Sequence, residues 1–228
     1  MGLRIFEVDP DAQPKRKNDD VVGRFRSGQQ LNNRPLALTE WRVTTGDPDV
    51  ADRIADLYGG SPGQWDTKSA ETLEVLTQAT EVTVIFDGPR AVKSEMILWG
   101  RNGKIRSCDG VTQAADDNGV CEGCVCPSTV KERKEAAKKG TGCEPSVLLF
   151  FRLADAPELG KFRFTTGSWN FAADIGDVED ALTAVGGPAI AEFGLEVISW
   201  QDKVAQQTKS FTKPYVKNIR AYVPAEVF

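Results

Sequence analysis

Five cysteines, Cys108, Cys121, Cys124, Cys126 and Cys143, fall within one stretch of 36 residues, and the rest of the 228-residue chain holds none. The intervals between them are twelve, two, one and sixteen residues. Thiols that only fill a core have no reason to concentrate in this way. Disulfides suit the pattern poorly: the number is odd, and Met1 to Asp20 contains no apolar segment of the kind that directs export, so a reducing compartment is expected. A redox dithiol at Cys121 and Cys124 would need a thioredoxin-like βαβ setting, whereas this segment is a glycine-rich loop. A zinc ion satisfies the pattern. Four soft thiolates form a tetrahedron around it, cysteines one or two residues apart make a knuckle, and the outer ones close the cage. With all four positions taken by thiolate, no place is left for water or substrate, so the expected cofactor is a structural Zn2+. By analogy with zinc-finger peptides such a site is worth ~10 to 16 kcal/mol of folding free energy.

The remainder of the chain is long enough to bury a core without such help, and its 40% hydrophobic and 27% charged residues are ordinary for a globular protein. No run approaches the ~20 apolar residues that cross a bilayer. The expectation is a cytoplasmic protein that binds no membrane. A net charge of -5 and an isoelectric point near 5.0 make the whole-molecule field repel nucleic acid, so any DNA contact is expected to be local, weak or supplied by a partner. Histidine is missing from the composition, which removes the commonest general base and every Ser-His or Cys-His nucleophile.

Along the chain, residues 1–20 carry Pro10, Pro14 and the basic run Lys15-Arg16-Lys17 and read as a flexible polar arm. Asp47-Pro48, followed by Val50, Ile54 and Leu57 and closed by Gly59-Gly60, predicts a short helix. Thr72 to Thr77, Glu81 to Phe86 and Glu95 to Gly100 read as strands. Asn102-Gly103 predicts a hairpin with a type I′ turn, its returning strand ending at Cys108. Ser146 to Leu153 and Lys161 to Thr165 read as further strands. Asp177 is positioned to cap a helix over Val178, Leu182 and Val185 that stops at Gly186-Gly187-Pro188. Leu195 to Val204 and Phe211 to Val223 are extended, with Pro214 arguing against the second. The fold class is therefore α+β, mainly antiparallel strands with a few short helices and an inserted zinc-binding loop. The organisation is an arm over 1–20, an α+β part over 21–107, the zinc loop with a short helix over 108–145, and the carboxyl-terminal part of the same core over 146–228.

Within the loop, Thr129 and Glu132 form a capping box for a helix from Lys131 to Lys139 that ends at Gly140. Five basic and two acidic side chains give it a local charge of +3. It reads as a solvated face, or more sharply as a contact for DNA phosphate or an acidic partner patch. A metal-dependent hydrolase would need an open metal position beside carboxylates such as Asp109, Asp116, Asp117 and Glu122; these read as solvated loop acids. Trp41, Trp65, Trp99, Trp169 and Trp200 are each expected in the core.

Several ordered segments carry a resemblance. They are Gly23-Arg24-Phe25-Arg26-Ser27-Gly28, Arg34-Pro35-Leu36-Ala37-Leu38, Trp41-Arg42-Val43-Thr44, Ile54-Ala55-Asp56-Leu57-Tyr58-Gly59-Gly60 and Trp65. Arg106-Ser107-Cys108-Asp109-Gly110, Cys124-Val125-Cys126-Pro127 and Cys143-Glu144-Pro145 follow in the same order. From about Val21 to Asn170 the chain resembles the recombination directionality factors that accompany large serine integrases in Streptomyces-type phages; toward the carboxyl end the likeness fades. The resemblance implies the metal ligands Cys108, Cys124, Cys126 and Cys143. Cys121 departs from that pattern, yet its C-x-x-C relation to Cys124 is the commoner knuckle spacing, so the fourth ligand is either Cys121 or one of its neighbours. The resemblance also implies a non-catalytic protein without small-molecule substrate. Its partner would be a serine integrase on attachment-site DNA, switched from integration to prophage excision. The alternative from the residues is a zinc-containing single-stranded nucleic-acid binding or replication accessory protein, using the basic helix and aromatics on a β surface.

Overall fold

The computed structural model of the chain describes residues 21–31, 34–114, 122–202 and 206–224; the arm expected over 1–20 lies outside them. The chain opens with an antiparallel pair, β1 (Val21–Leu31) and β2 (Arg34–Thr45). Helix α1 (Pro48–Tyr58) follows, capped as its sequence predicts. The Asp47 carboxylate accepts from the Asp49 amide at 2.9 Å, Pro48 occupies the first turn, and Gly59 ends the helix at a φ of 76°. Two short strands, β3 (Pro62–Gln64) and β4 (Leu73–Leu76), precede β5 (Glu81–Phe86), β6 (Val92–Gly100) and β7 (Gly103–Cys108). Helix α2 (Val130–Lys138) lies in the cysteine segment. After it come β8 (Glu144–Leu153), β9 (Lys161–Thr166), helix α3 (Trp169–Val185) and a long antiparallel pair, β10 (Ala189–Asp202) and β11 (Gln207–Ala221).

The strands form one sheet in the order β11-β10-β5-β8-β9-β1-β2-β4-β3, with β6 and β7 attached through β8. Every pairing is antiparallel except β1 with β9. The mainly antiparallel α+β class is thus observed. Strands from both sides of the cysteine segment share the sheet, because β8 carries β6 and β9 along its edges and pairs its last residues, Arg152 and Leu153, with β5.

The main core is aromatic. Trp41 is 1% exposed, and its ring centre lies 5.6 Å from Phe25, 5.5 Å from Phe164 and 4.5 Å from Phe193. Helix α3 contributes Phe171, Ile175, Val178 and Leu182 to the same core. A second, much smaller cluster of Leu98, Cys108 and Cys143, with Met96, Cys124 and Cys126 packed against it, stands apart.

Three local expectations are corrected, and the extended reading of the segment that holds Pro214 is borne out. The hairpin at Asn102-Gly103 exists, but Gly100 pairs with Gly103, and of the turn residues only Gly103 has positive φ, at 120°. A type I′ turn needs positive φ at two central residues, so the turn is of another kind, followed by a register shift that accommodates one extra residue. Helix α3 begins eight residues before Asp177, where the Ser168 hydroxyl accepts from the Phe171 amide at 3.3 Å. Pro214 sits inside β11, opposite Leu195, and is accommodated because β11 is the terminal strand of the sheet. Of the five tryptophans only Trp41 is buried; Trp65 and Trp169 are half-buried, while Trp99 and Trp200 are 53% and 45% exposed. Among the described residues no helix is long and apolar enough to cross a membrane.

Candidate metal centre

The strand register explains how distant cysteines meet. β6 has β7 on one side and β8 on the other, with Met96 opposite both Cys108 and Pro145. Cys108, the last residue of β7, and Cys143, just before β8, are thereby carried to the same end of this three-stranded unit. The connecting segment is folded back upon them by its backbone. Asp109 accepts from the amides of Val111 and Thr112, each at 2.7 Å, and Gln113 donates through its amide to the carbonyl of Glu122 at 2.8 Å. The Cys124 amide donates to the carbonyl of Val111 at 2.7 Å. Asp109 is thus a loop-shaping residue, its carboxyl held below the ordinary range by the Thr112 and Val111 amides. Glu122 is exposed, and Asp116, Asp117 and Cys121 lie outside the described residues.

The Sγ atoms of Cys108, Cys126 and Cys143 all lie within 4.8 Å of one another. Cys124 joins them, its Sγ 3.4 Å from that of Cys108. A tetrahedral zinc with Zn–S bonds of ~2.3 Å places its thiolates roughly 3.8 Å apart. Cys108, Cys126 and Cys143 therefore have the chemistry and the approximate spacing of one metal cage, Cys124 adjoins it through Cys108, and all four cysteines are free thiols. The Cys126 amide points at Cys124 Sγ at 3.4 Å, the kind of backbone donor that orients a thiolate ligand.

Two arginines that sequence reasoning missed complete the surroundings. Arg106 Nη2 lies 3.9 Å from Cys126 Sγ, and its hydrogen bond to Cys143 raises the guanidinium's pKa further. Four thiolates around a dication leave a net charge near -2, and a guanidinium against two of the sulfurs offsets part of it. Burial pushes the Cys108 thiol up to about 12 and raises Cys143. Burial acts in the same direction on Cys126, but donors from Cys143 and Cys124 and the charge of Arg106 outweigh it and bring the group to about 7. Arg133 on α2 donates to the carbonyl oxygens of Pro127 at 2.6 Å and Gly110 at 2.8 Å. Arg106 stands in a segment that carries the resemblance and Arg133 in the basic helix, but neither role can be read along the chain, because each acts on atoms brought near only by folding.

Helix α2 begins as its capping residues predict: the Thr129 hydroxyl lies 3.3 Å from the Glu132 amide and 2.7 Å from its carboxylate. It contributes no buried residue. Its polypeptide end is fixed by the Thr141 and Gly142 amides, which donate to the carbonyl of Ala136 at 3.0 and 3.1 Å. Any added Cβ at Gly142 would meet Ala136 Cβ at 2.6 Å, so the return toward Cys143 requires glycine. Of the four basic residues within this helix, Arg133 is committed to the loop and Lys138 pairs with Glu135 at 3.1 Å.

No solved structure matches the chain. The family described as Gp3-like, recombination directionality factor-like, matches residues 22–221. The match extends well past Asn170, where the segment-by-segment likeness fades, and takes in α3 and the whole β10–β11 pair. It includes the whole cysteine cage and both cores, and the chain belongs to this family of recombination directionality factor-like proteins.

Proposed function

We propose that this protein binds a phage-encoded large serine integrase on attachment-site DNA and switches it from integration to prophage excision, while performing no chemistry itself. The observation that carries the reading is the family match over residues 22–221. The recombinase supplies the phosphoryl transfer. The factor has only to bind one arrangement of the integrase–DNA complex more tightly than another, since equal affinity for both shifts nothing. A swing from 1:99 to 99:1 takes about 5.5 kcal/mol of differential binding. A modest protein interface supplies that amount, so an acidic chain without histidine is no obstacle.

In this reading Cys108, Cys124, Cys126 and Cys143 hold a structural Zn2+ that fixes the β6–β7 hairpin, the loop and α2 as one surface. The exposed apolar side chains Trp99, Ile105, Val125 and Val130 lie on this unit and offer it for protein contact. The experiment is recombination of attachment-site plasmids by related serine integrases with and without the protein. Excision from hybrid sites should rise and integration should fall; no effect with any related integrase would overturn the proposal.

A further inference from the structure

On β1 and β9 the alternation of the strand places Phe25 and Phe164 in the core and turns Arg24, Arg26, Arg163 and Thr165 to the opposite face. The parallel register sets Arg24 beside Arg163. These four residues, with Ser27 where the β1–β2 register shifts, line a concavity of about 220 Å3. Carboxylates do not balance the cations. Glu71 is shared between Arg24 and Arg26, the latter at 3.2 Å, while neighbouring Glu74 is taken by Arg42 at 2.6 Å. Three guanidinium groups thus face one carboxylate, an excess of two positive charges in a protein of net charge -5.

Arg163 is the telling member. Its Nε is buried and has no hydrogen-bond partner among the described residues, and it forms no ion pair among them. Leaving such a donor unsatisfied is costly, and bringing guanidinium groups together without counter-charge is costlier. Burial lowers the pKa of Arg163, and the charges of Arg24 and Arg26 lower it further. Arg26 is likewise lowered by burial despite Glu71. An anion seated between these groups relieves all of this at once. Forked guanidinium donors from two strands, joined by the Ser27 and Thr165 hydroxyls, approach from several directions. That arrangement suits a tetrahedral oxyanion better than a planar carboxylate.

We propose that the Arg24–Arg26–Arg163 concavity is a binding site for a phosphate group, separate from the cysteine cage and on the opposite side of β8 from it in the strand order. The site does not depend on the integrase reading. The phosphate comes either from solution or from the backbone of DNA held in the recombination complex. Arginine Nε–H resonances followed by NMR test this directly, with the Arg163 signal assigned by its loss in Arg163→Lys. Inorganic phosphate should move the Arg163 signal saturably, chloride at matched ionic strength and acetate should not, and Arg163→Gln should weaken the effect on the Arg24 and Arg26 signals at least tenfold. A short DNA duplex distinguishes the sources: movement that added salt abolishes assigns the backbone, and no movement by duplex alongside saturation by phosphate assigns the free anion. A linear drift that chloride reproduces, an equal response to acetate, or undiminished binding in Arg163→Gln would overturn the proposal; the first two readouts use the native protein and so survive misfolding of the variant.

Discussion

The Arg133 guanidinium on α2 donates to the carbonyl oxygen of Gly110 at 2.8 Å, crossing 23 positions of sequence to tie the helix to the turn that follows Cys108. The same side chain reaches Pro127, just after Cys126. One residue that is not a metal ligand therefore holds both halves of the loop around the thiols. Removing it in Arg133→Ala should cost about 2 kcal/mol, the scale of hydrogen bonds from a charged donor, and speed zinc transfer to a chromogenic chelator. Arg133→Lys should restore only part of this, because an ammonium does not reproduce the fork that spans two carbonyls. Unchanged transfer kinetics in Arg133→Ala would show that the loop is held by other contacts.

The cysteine cluster packs separately from the aromatic core. Stripping the metal with a chelator should therefore loosen residues 96 to 145 while the strands around Trp41 stay closed. Hydrogen exchange followed by mass spectrometry should show faster exchange in β7 and α2 and little change in β1, β8 and β9. Uniform loss of protection would mean that the two clusters unfold as one.

Cys126 lies with Cys108 and Cys143 in the cage, whereas Cys121 stands outside the ligand set that the resemblance implies. Cys126→Ser should take metal content from about one zinc per chain to near none and lower the melting temperature with it. Cys121→Ser should leave both nearly intact. The reverse order, measured by atomic emission and thermal unfolding, would exchange the two cysteines in the ligand set.

Trp41 and Trp99 are opposites in burial although they are the same residue type. Trp41→Ala should destabilise by about 3 to 5 kcal/mol through loss of contacts with Phe25, Phe164 and Phe193. Trp99→Ala should change stability by no more than about 0.5 kcal/mol. Denaturant unfolding followed by circular dichroism measures both.

Gly60 has a φ of 89°, and an added Cβ would sit 2.1 Å from the carbonyl oxygen of Leu76. Gly60→Ala should cost about 2 kcal/mol or more, from unfavourable backbone conformation and collision together. Gly63, where an added Cβ meets nothing, is the control, and Gly63→Ala should stay within about 0.5 kcal/mol.

Much of the secondary structure was legible because its signals are local. Asp47-Pro48, Thr129 with Glu132, and Gly186 mark helix ends through bonds within a few residues of themselves. The start of α3 was also written in the chain, since Phe171, Ile175, Val178 and Leu182 keep helical spacing from Ser168 onward. Asp177 competed for the cap only because it too is a good capping residue. The β1–β2 pair was harder to see: Gly23, Ser27, Gly28, Gln29 and Gln30 carry little of the β-branched bulk that signals a strand, and only Phe25 among the residues of Gly23–Gln30 reaches the core as a large side chain.

By itself the sequence determined that thiols cluster where a soft metal fits, that histidine chemistry is unavailable, and which short segments are capped, turned or extended. The tertiary structure alone decided that four particular thiols converge beside Arg106, that Trp41 is enclosed while Trp99 faces solvent, and that Arg24 and Arg163 become neighbours on a parallel strand pair. Composition, spacing and capping act over a few bonds and can be read along the chain. Burial and cross-strand contact depend on which distant segments share a sheet, and that is set by the cooperative packing of the whole molecule.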